Sequence, residues 1–362
     1  MGVLIYGVSS YDKNADKFDF GRDPTYNAHR FELLCYDKME GQFKNTKIAR
    51  QTNKSTEKVH IAYYDSLRGS IHYSVTQSDH TFISDVSTWY SYARAWVNID
   101  GGTDEDDSKN LNGATISTPE GGSGKVSTDN TSSICVSNYS ETSSKKRAEG
   151  TGEYLGLALN PSGYPVIVYY DVNSTIRLAR ASSAFPKGSG NEDKWTVQEV
   201  MNTSDSNYSA TAAYIACEID SSGYLHIAFQ NSKGELVYLK STNAPTDGKT
   251  AYTFGESVVL CDSAMDIDIY LNGTVPYISY ISKINTTDGL NMAFFDSSLD
   301  LDQDGSAEGA WETMTVPLSR RVSDSRTCVC VNPSGNSNKW HAAIGFTPGD
   351  YYRVAFYKGK GN

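Results

Sequence analysis

The sequence predicts an all-β protein, a β-propeller, from three observations. Aromatic residues are abundant, with 25 Tyr, 12 Phe and 5 Trp among 362 residues, and small polar residues crowd between short apolar runs. This mixture is typical of strands joined by turns. No stretch of about ten residues or more carries apolar side chains at the spacing of an amphipathic helix. The third observation is an internal repeat.

Two copies of the repeat start at Tyr154 and Tyr214 and align without a gap. Tyr169 falls on Phe229, and each copy reads as a strand, a Gly-containing turn, a second strand, a polar turn and a third strand. A fourth strand is expected over 195–200 in the first copy and over 256–260 in the second.

Weaker copies extend the repeat in both directions. One begins at Val59, one at Val275 with a fourth strand over 311–316, and the last at Cys328. At the N-terminus, segments 3–8 and 30–37 resemble the second and third strands of one more copy. The chain therefore contains six recognisable hairpins.

A period of roughly 50 to 60 residues with four antiparallel strands is typical of a propeller blade, because one such sheet cannot bury both faces alone. The last copy lacks a fourth strand and the first copy lacks a first strand. We therefore predict six blades in a ring closed by the N-terminal strand, which completes the C-terminal blade.

The whole chain, 1–362, is expected to be one propeller domain with a polar insertion around 97–150. Segment 101–130 holds few apolar residues and opens with an acidic run that is typical of an exposed loop. Two alternatives stay open: a degenerate seventh blade in place of the insertion, and a pair of β-sandwiches in place of the propeller.

Charge and hydropathy exclude some partners. The net charge of −11 and the pI near 5.0 argue against nucleic acid, which requires a concentrated Lys/Arg face. No apolar segment is long enough for a transmembrane helix. A strand-like run follows Met1 directly, and a turn-dense, Ser/Thr/Asn/Tyr-rich chain favours a secreted, periplasmic or cell-surface protein whose leader has been removed. Six cysteines permit up to three disulfides.

Strings such as Val-His-Ile-Ala-Tyr-Tyr-Asp over 59–65 resemble repeats of bacterial extracytoplasmic propellers of the sialidase-like type. The resemblance covers most of the chain and implies a surface, periplasmic or secreted recognition protein. It carries no catalytic residue, because the chain has neither the Ser-x-Asp-x-Gly-x-Thr-Trp box nor the Phe-Arg-Ile-Pro segment of true sialidases.

The strongest local motif for a metal lies at Asp300, Asp302 and Asp304, which alternate along the chain before Gly305. Such carboxylates, with a Gly that permits a tight turn, offer hard oxygen ligands to Ca²⁺. An EF-hand would place Glu at the twelfth position, which is Trp311 here. The motif therefore predicts a structural calcium loop between the third and fourth strands, with a plain acidic turn as the alternative.

Three sets of residues recur at equivalent places, and each favours packing over chemistry. Histidines begin one strand in several copies, aspartates close aromatic-rich strands where they can bond turn amides, and tryptophans head the fourth strands and suggest an inter-blade core. They are His60, His226 and His341; Asp12, Asp37, Asp65, Asp171 and Asp296; and Trp89, Trp96, Trp195, Trp311 and Trp340, of which at least three lie at the head of a predicted fourth strand or next to it.

Common catalytic signatures are absent from the sequence, including His-Glu-x-x-His, Cys-x-x-Cys and Gly-x-Ser-x-Gly. The first hypothesis is therefore a non-catalytic recognition module whose loops bind glycan or a protein on a rigid ring. A carbohydrate-active hydrolase or lyase that uses loop carboxylates is the second hypothesis. The third is a structural component of a surface assembly.

Overall fold

A computed structural model of the chain shows β-strands and turns, which confirms the all-β prediction. In the described ranges, no helix is long and apolar enough to cross a membrane. These ranges are 2–7, 10–12, 17–19, 31–37, 43–51, 58–65, 70–75, 115–117, 123–125, 152–171, 174–182, 195–203, 213–284, 287–299, 309–315, 327–333, 340–346 and 353–358.

The chain divides into two compact units. The first comprises Met1–Glu153 and Ala179–Val197, and the second comprises Tyr154–Leu178 and Gln198–Asn362. The expectation of a single domain over 1–362 stays a prediction.

Nine short strands are described in the N-terminal part of the chain. Strands β1 and β4 form one antiparallel sheet, which confirms that segments 3–8 and 30–37 pair as neighbouring strands. Strands β5, β6 and β7 form another sheet in chain order, and β2–β3 and β8–β9 are three-residue ladders. The strands are β1 (Gly2–Gly7), β2 (Ser10–Asp12), β3 (Lys17–Asp19), β4 (Phe31–Asp37), β5 (Phe43–Gln51), β6 (Lys58–Asp65), β7 (Ser70–Val75), β8 (Thr115–Ser117) and β9 (Ser123–Lys125).

Three consecutive four-stranded antiparallel sheets follow, and then a three-stranded one, each in chain order. These are β10 (Leu155–Leu159), β11 (Pro165–Tyr170), β12 (Thr175–Ala181) and β13 (Trp195–Asn202); β14 (Ile215–Ile219), β15 (Leu225–Gln230), β16 (Leu236–Lys240) and β17 (Val258–Cys261); β18 (Met265–Asn272), β19 (Val275–Ile284), β20 (Thr287–Asp296) and β21 (Ala310–Thr315); and β22 (Cys328–Pro333), β23 (Trp340–Phe346) and β24 (Arg353–Lys358).

The three fourth strands lie where the repeat predicts them, at β13, β17 and β21. The sequence pattern did not single out β5 or β18, the first strands of their sheets. In both strands a β-bulge interrupts the register with the second strand, between Lys44 and Lys47 and between Met265 and Asp268. Because a bulge shifts the alternation of side chains by one residue, it hides a strand from pattern analysis.

First strands of successive sheets lie side by side, with β10 next to β14, β14 next to β18, and β18 next to β22. Gly156 on β10 allows the approach of β10 to β14, because a Cβ at this glycine would lie 2.8 Å from the backbone nitrogen of Cys217 on β14. Sheets that converge on their first strands and stack face to face are the blades of a β-propeller. This arrangement replaces the β-sandwich alternative.

Apolar side chains fill the spaces between these blades. Ile176 and Leu178 of β12 pack with Val237 and Leu239 of β16 in one buried cluster. Tyr238, on the other face of β16, joins a second cluster with residues of the next sheet. The sheet that contains β16 thus buries both faces, which is why its inner strands do not alternate apolar with polar residues.

A tyrosine–tryptophan contact recurs between neighbouring blades. Tyr238 on β16 meets Trp311 on β21 of the next sheet, with ring centroids 4.7 Å apart. Tyr73 on β7 meets Trp195 on β13 in the same way, at 5.3 Å. The second contact lies within the first compact unit. Six of the described sheets correspond to the six recognisable hairpins of the repeat.

The pairing of β1 bears on the predicted closure of the ring. Strand β1 makes its described ladder with β4, and the C-terminal sheet β22–β24 has three described strands. The prediction from the sequence is that β1 completes that C-terminal sheet. The ladder with β4 occupies one edge of β1, and closure of the ring through its other edge stays a prediction.

Candidate functional site

The recurring histidine is buried in the blade, not displayed on a surface. His226 is fully buried, with its Nδ1 2.6 Å from the Tyr238 hydroxyl and its Nε2 3.2 Å from Oδ2 of Asp220. Desolvation lowers the pKa of His226 to about 4, although the hydrogen bond with Asp220 opposes this shift. The ring is therefore neutral at pH 7, donates from Nε2 to the carboxylate and accepts the tyrosine proton at Nδ1.

The histidine–tyrosine hydrogen bond recurs at His60, which is also fully buried and is hydrogen-bonded through Nδ1 to the Tyr73 hydroxyl. The tyrosine of each copy is the one that meets the next blade's tryptophan. The packing interpretation of His60, His226, Trp195 and Trp311 is thereby confirmed. The side chain of His341 lies outside the described residues, as do those of Asp12, Asp37 and Asp65, and Trp89 and Trp96.

The aspartates that close strands bond turns, as expected. Asp171 accepts the Thr175 amide at Oδ1, 3.0 Å away, and the Arg177 Nε at Oδ2, 2.8 Å away. Oδ1 of Asp296 accepts the amide and the hydroxyl of Ser298. Both carboxylates are engaged in local structure.

Asp300, Asp302 and Asp304, the predicted calcium ligands, lie outside the described residues. The flanking residues are described: the Gly309 amide donates to the Leu299 carbonyl oxygen at 2.9 Å. This bond closes the base of the loop that carries the three carboxylates. The calcium site stays a prediction.

A different feature marks the end of the blades at which the first strands begin. Three residues other than glycine have positive φ at the same place in their blades: Asn45 at 51°, Tyr214 at 57° and Asp266 at 48°. The residue two positions later in the chain pairs, in each blade, with a small residue on the second strand. These small residues are Ala62, Ala228 and Ser279.

At two of these places the side chain links one blade to the next. Asn45 donates its amide to the Glu153 carbonyl oxygen just before β10. Asp266 accepts the backbone amide of Thr327 just before β22, and its carbonyl oxygen accepts the Thr327 hydroxyl at 2.7 Å. Asn and Asp tolerate the left-handed region and can bond locally, so both residues suit this role.

Tyr214 does not suit it in the same way. A tyrosine in the left-handed region costs about 1–2 kcal/mol, and its side chain cannot replace the short Asn or Asp link. In this blade Gln230 makes the link instead, since its Nε2 donates to the Ala264 carbonyl oxygen at 2.6 Å, just before β18. The hydrogen-bonded link from this blade to the next therefore comes from Gln230 and not from the side chain of Tyr214.

The ring of Tyr214 meets that of Tyr154 from the preceding blade, with centroids 5.1 Å apart in an edge-to-face arrangement. Both side chains are half-buried. We call these two residues the tyrosine pair. The second strands end beside it, where Tyr170 donates its hydroxyl to the Gln230 carbonyl oxygen at 2.6 Å. The pair thus combines aromatic faces with polar groups held by hydrogen bonds.

The sequence held one signal for this site, which is that Tyr154 and Tyr214 align in the repeat. Two other observations came only from the structure: the positive φ of Tyr214, and the edge-to-face contact of the pair across two blades. Backbone conformation at a residue with no glycine and no proline beside it is set by tertiary packing.

No protein-family model matches the chain, and no curated protein matches its sequence. Among solved structures it is similar to Aleuria aurantia lectin, a fungal lectin described as a six-bladed β-propeller with a fucose recognition mode; the identity is 10%, the match covers 87% of this chain and 78% of the lectin, and the TM-score is 0.42.

Two other solved structures are similar. One is a protein of unknown function from Dyadobacter fermentans, with 11% identity, 91% of this chain and 97% of that chain covered, and a TM-score of 0.42. The other is the catalytic domain of a Coprinopsis cinerea GH62 α-L-arabinofuranosidase, with 10% identity, 89% and 92% covered, and a TM-score of 0.39. The sheets and their packing, rather than these likenesses, make the chain a β-propeller protein.

Proposed function

We propose that this chain is a non-catalytic glycan-binding propeller, with the tyrosine pair at the centre of its ligand site. The single observation that supports this most is the strained, half-buried Tyr214 at a place where other blades have Asn45 and Asp266. Residues held in unfavourable backbone conformations without a structural need cluster at ligand sites, where binding compensates the strain.

Glycan suits the pair better than a flat protein surface does. A tyrosine combines an apolar ring with a polar hydroxyl, and a sugar likewise has an apolar C–H face and a rim of hydroxyl groups. Stable protein interfaces bury roughly 800 Å² on each partner, far more than two half-buried rings provide. The fucose-binding lectin among the similar structures agrees with this ligand class but does not establish it.

The chemistry of the described side chains supports binding over catalysis. The neutral His226 and the carboxylates of Asp220, Asp171 and Asp296 all bond neighbouring protein groups. A glycoside hydrolase requires two carboxyl groups that face a common space, roughly 5 to 9.5 Å apart. We also propose a location outside the cytoplasm, and a sialidase-like origin of the repeat, from the sequence composition and repeat strings alone.

A glycan array with the purified full chain tests the proposal, and each hit is then measured by calorimetry and checked for cleavage. Tyr214→Ala should weaken binding of a hit at least tenfold. Tyr164→Ala is the matched control, because Tyr164 is also half-buried but lies at the opposite end of β10. It should leave affinity within twofold.

The alternatives give different results in the same experiment. Turnover of a bound glycan would favour the hydrolase or lyase. The absence of any glycan signal would favour a protein partner or a structural role. Binding that is equally strong in Tyr214→Ala would place the ligand elsewhere on the chain.

A further inference from the structure

The outer strands of the four-stranded sheets differ in what they expose. On β13 and β21 the exposed residues are polar: Thr196, Glu199 and Asn202, and Glu312, Thr313 and Thr315. On β17 they are Val258, 41% exposed, and Val259, 53% exposed. Outer strands of natural sheets usually carry charged or polar residues, because an apolar edge invites pairing with another chain.

The exposure affects both faces of β17. Val259 pairs with Val237, which is buried against the preceding sheet, and Val258 pairs with Tyr238, which is buried against the following one. Both faces of the sheet are buried in the core at β16, whereas both are exposed to solvent at β17, the next strand outwards. The outer backbone edge of β17 therefore lies between two apolar side chains on opposite faces.

Acidic residues lie on both sides of the two valines. Glu256 precedes them and Asp262 follows β17, and both side chains are exposed. We define the β17 edge as Val258 and Val259 with these two flanking carboxylates. The whole chain is also acidic, with a net charge of −11.

We propose that the β17 edge is a docking site for an extended peptide segment that has β-branched apolar residues in its centre and Lys or Arg at its ends. Such a segment adds as a further strand through backbone hydrogen bonds, with its apolar residues beside the valines. Its basic ends meet Glu256 and Asp262, which makes the charges complementary.

A second copy of this chain fits the edge less well. Two β17 strands that pair antiparallel bring Glu256 of each copy close to Asp262 of the other, and like charges at such a contact are unfavourable. The same acidic residues act as a barrier to self-association and as an attraction for a basic partner.

The experiment uses the full chain and a probe peptide, Lys-Val-Thr-Val-Thr-Lys-amide, that carries fluorescein on its N-terminus through a Gly-Gly spacer, and binding is measured by fluorescence anisotropy at low salt. Val259→Lys should weaken binding at least tenfold, since it places a like charge against the peptide. Thr313→Lys, at an exposed position of β21, is the matched control and should leave binding within twofold. Val259→Thr keeps the β-branched shape and should still weaken binding severalfold.

Hydrogen exchange gives an independent readout, and bound peptide should slow amide exchange in the fragment that contains 255–262. Three peptide-binding results would each overturn the proposal: no binding of the basic peptide, equal loss in Val259→Lys and Thr313→Lys, or equal binding of an acidic Glu-Val-Thr-Val-Thr-Glu peptide. A dimer in sedimentation that Val259→Lys dissociates would overturn it in favour of a second copy. None of these results depends on the tyrosine pair.

Discussion

Replacing His226 by valine should be among the most destabilising single changes in the described part of the chain. The substitution leaves two buried groups without partners: Oδ2 of Asp220 loses the Nε2 donor, and the Tyr238 hydroxyl loses its acceptor. A buried polar group left without a partner costs about 1–3 kcal/mol, and a charged one such as the Asp220 carboxylate costs more. We expect a loss in the free energy of unfolding of that size.

The preceding copy of the repeat shows which second substitution should restore part of the lost stability. In the aligned preceding copy, Asn160 and Val166 stand where Asp220 and His226 stand, so an amide replaces the carboxylate when the histidine is absent. Asn160 uses its Oδ1 for the turn amides, as Asp220 does, and its Nδ2 donates to the Pro245 carbonyl oxygen. The double variant Asp220→Asn, His226→Val should therefore recover at least about 1 kcal/mol relative to His226→Val alone, because no buried charge remains.

Guanidinium denaturation is a suitable assay for these variants, followed by circular dichroism and by tryptophan fluorescence, since Trp311 packs directly on Tyr238. Tyr224→Phe is the control, because this half-buried tyrosine lies outside the network, and it should change stability by less than about 0.5 kcal/mol. A loss below about 1 kcal/mol in His226→Val, or no recovery in the double variant, would refute the network as described.

The remaining predictions concern pH, packing and metal. The pKa of buried His226, about 4 against 6.5 when unfolded, means that its contribution to stability is complete above pH 6.5 and is lost as pH falls towards 4. The loss should reach about 3 kcal/mol in denaturation curves across that range and should be missing in His226→Val. Gly156→Ala should cost about 1–3 kcal/mol because its Cβ meets the backbone of Cys217, whereas Gly255→Ala, with 3.5 Å to its nearest neighbour, should be close to neutral by the same measurement. If 300–308 binds calcium, added Ca²⁺ should raise the melting temperature relative to chelator in the wild type but not in Asp302→Asn, and an equal shift in both would contradict the loop assignment.

The fold could be predicted in large part because the same pattern of strands and turns recurs in several copies of the repeat. Turn residues such as Asn160 and Asp220, each with an Oδ1 that accepts two turn amides, mark the hairpins from local sequence alone. The first strands β5 and β18 were not predicted, because a bulge breaks the alternation of side chains on which pattern analysis relies.

The candidate site was much less predictable. Recurrence drew attention to histidines, aspartates and tryptophans, and the described members of all three sets proved to be structural. Tyr214 is a common residue in a common context, and only its backbone angle and its contact with Tyr154 distinguish it.

The sequence by itself determined the all-β class, the four-stranded unit and the places of its turns, since these depend on local side-chain chemistry and on the period of the repeat. Tertiary structure alone decided which blades are neighbours, which polar side chains are consumed by the core, and which apolar residues stay exposed at β17. Those outcomes depend on contacts between residues far apart in the chain, such as Tyr73 with Trp195, and no local pattern records them.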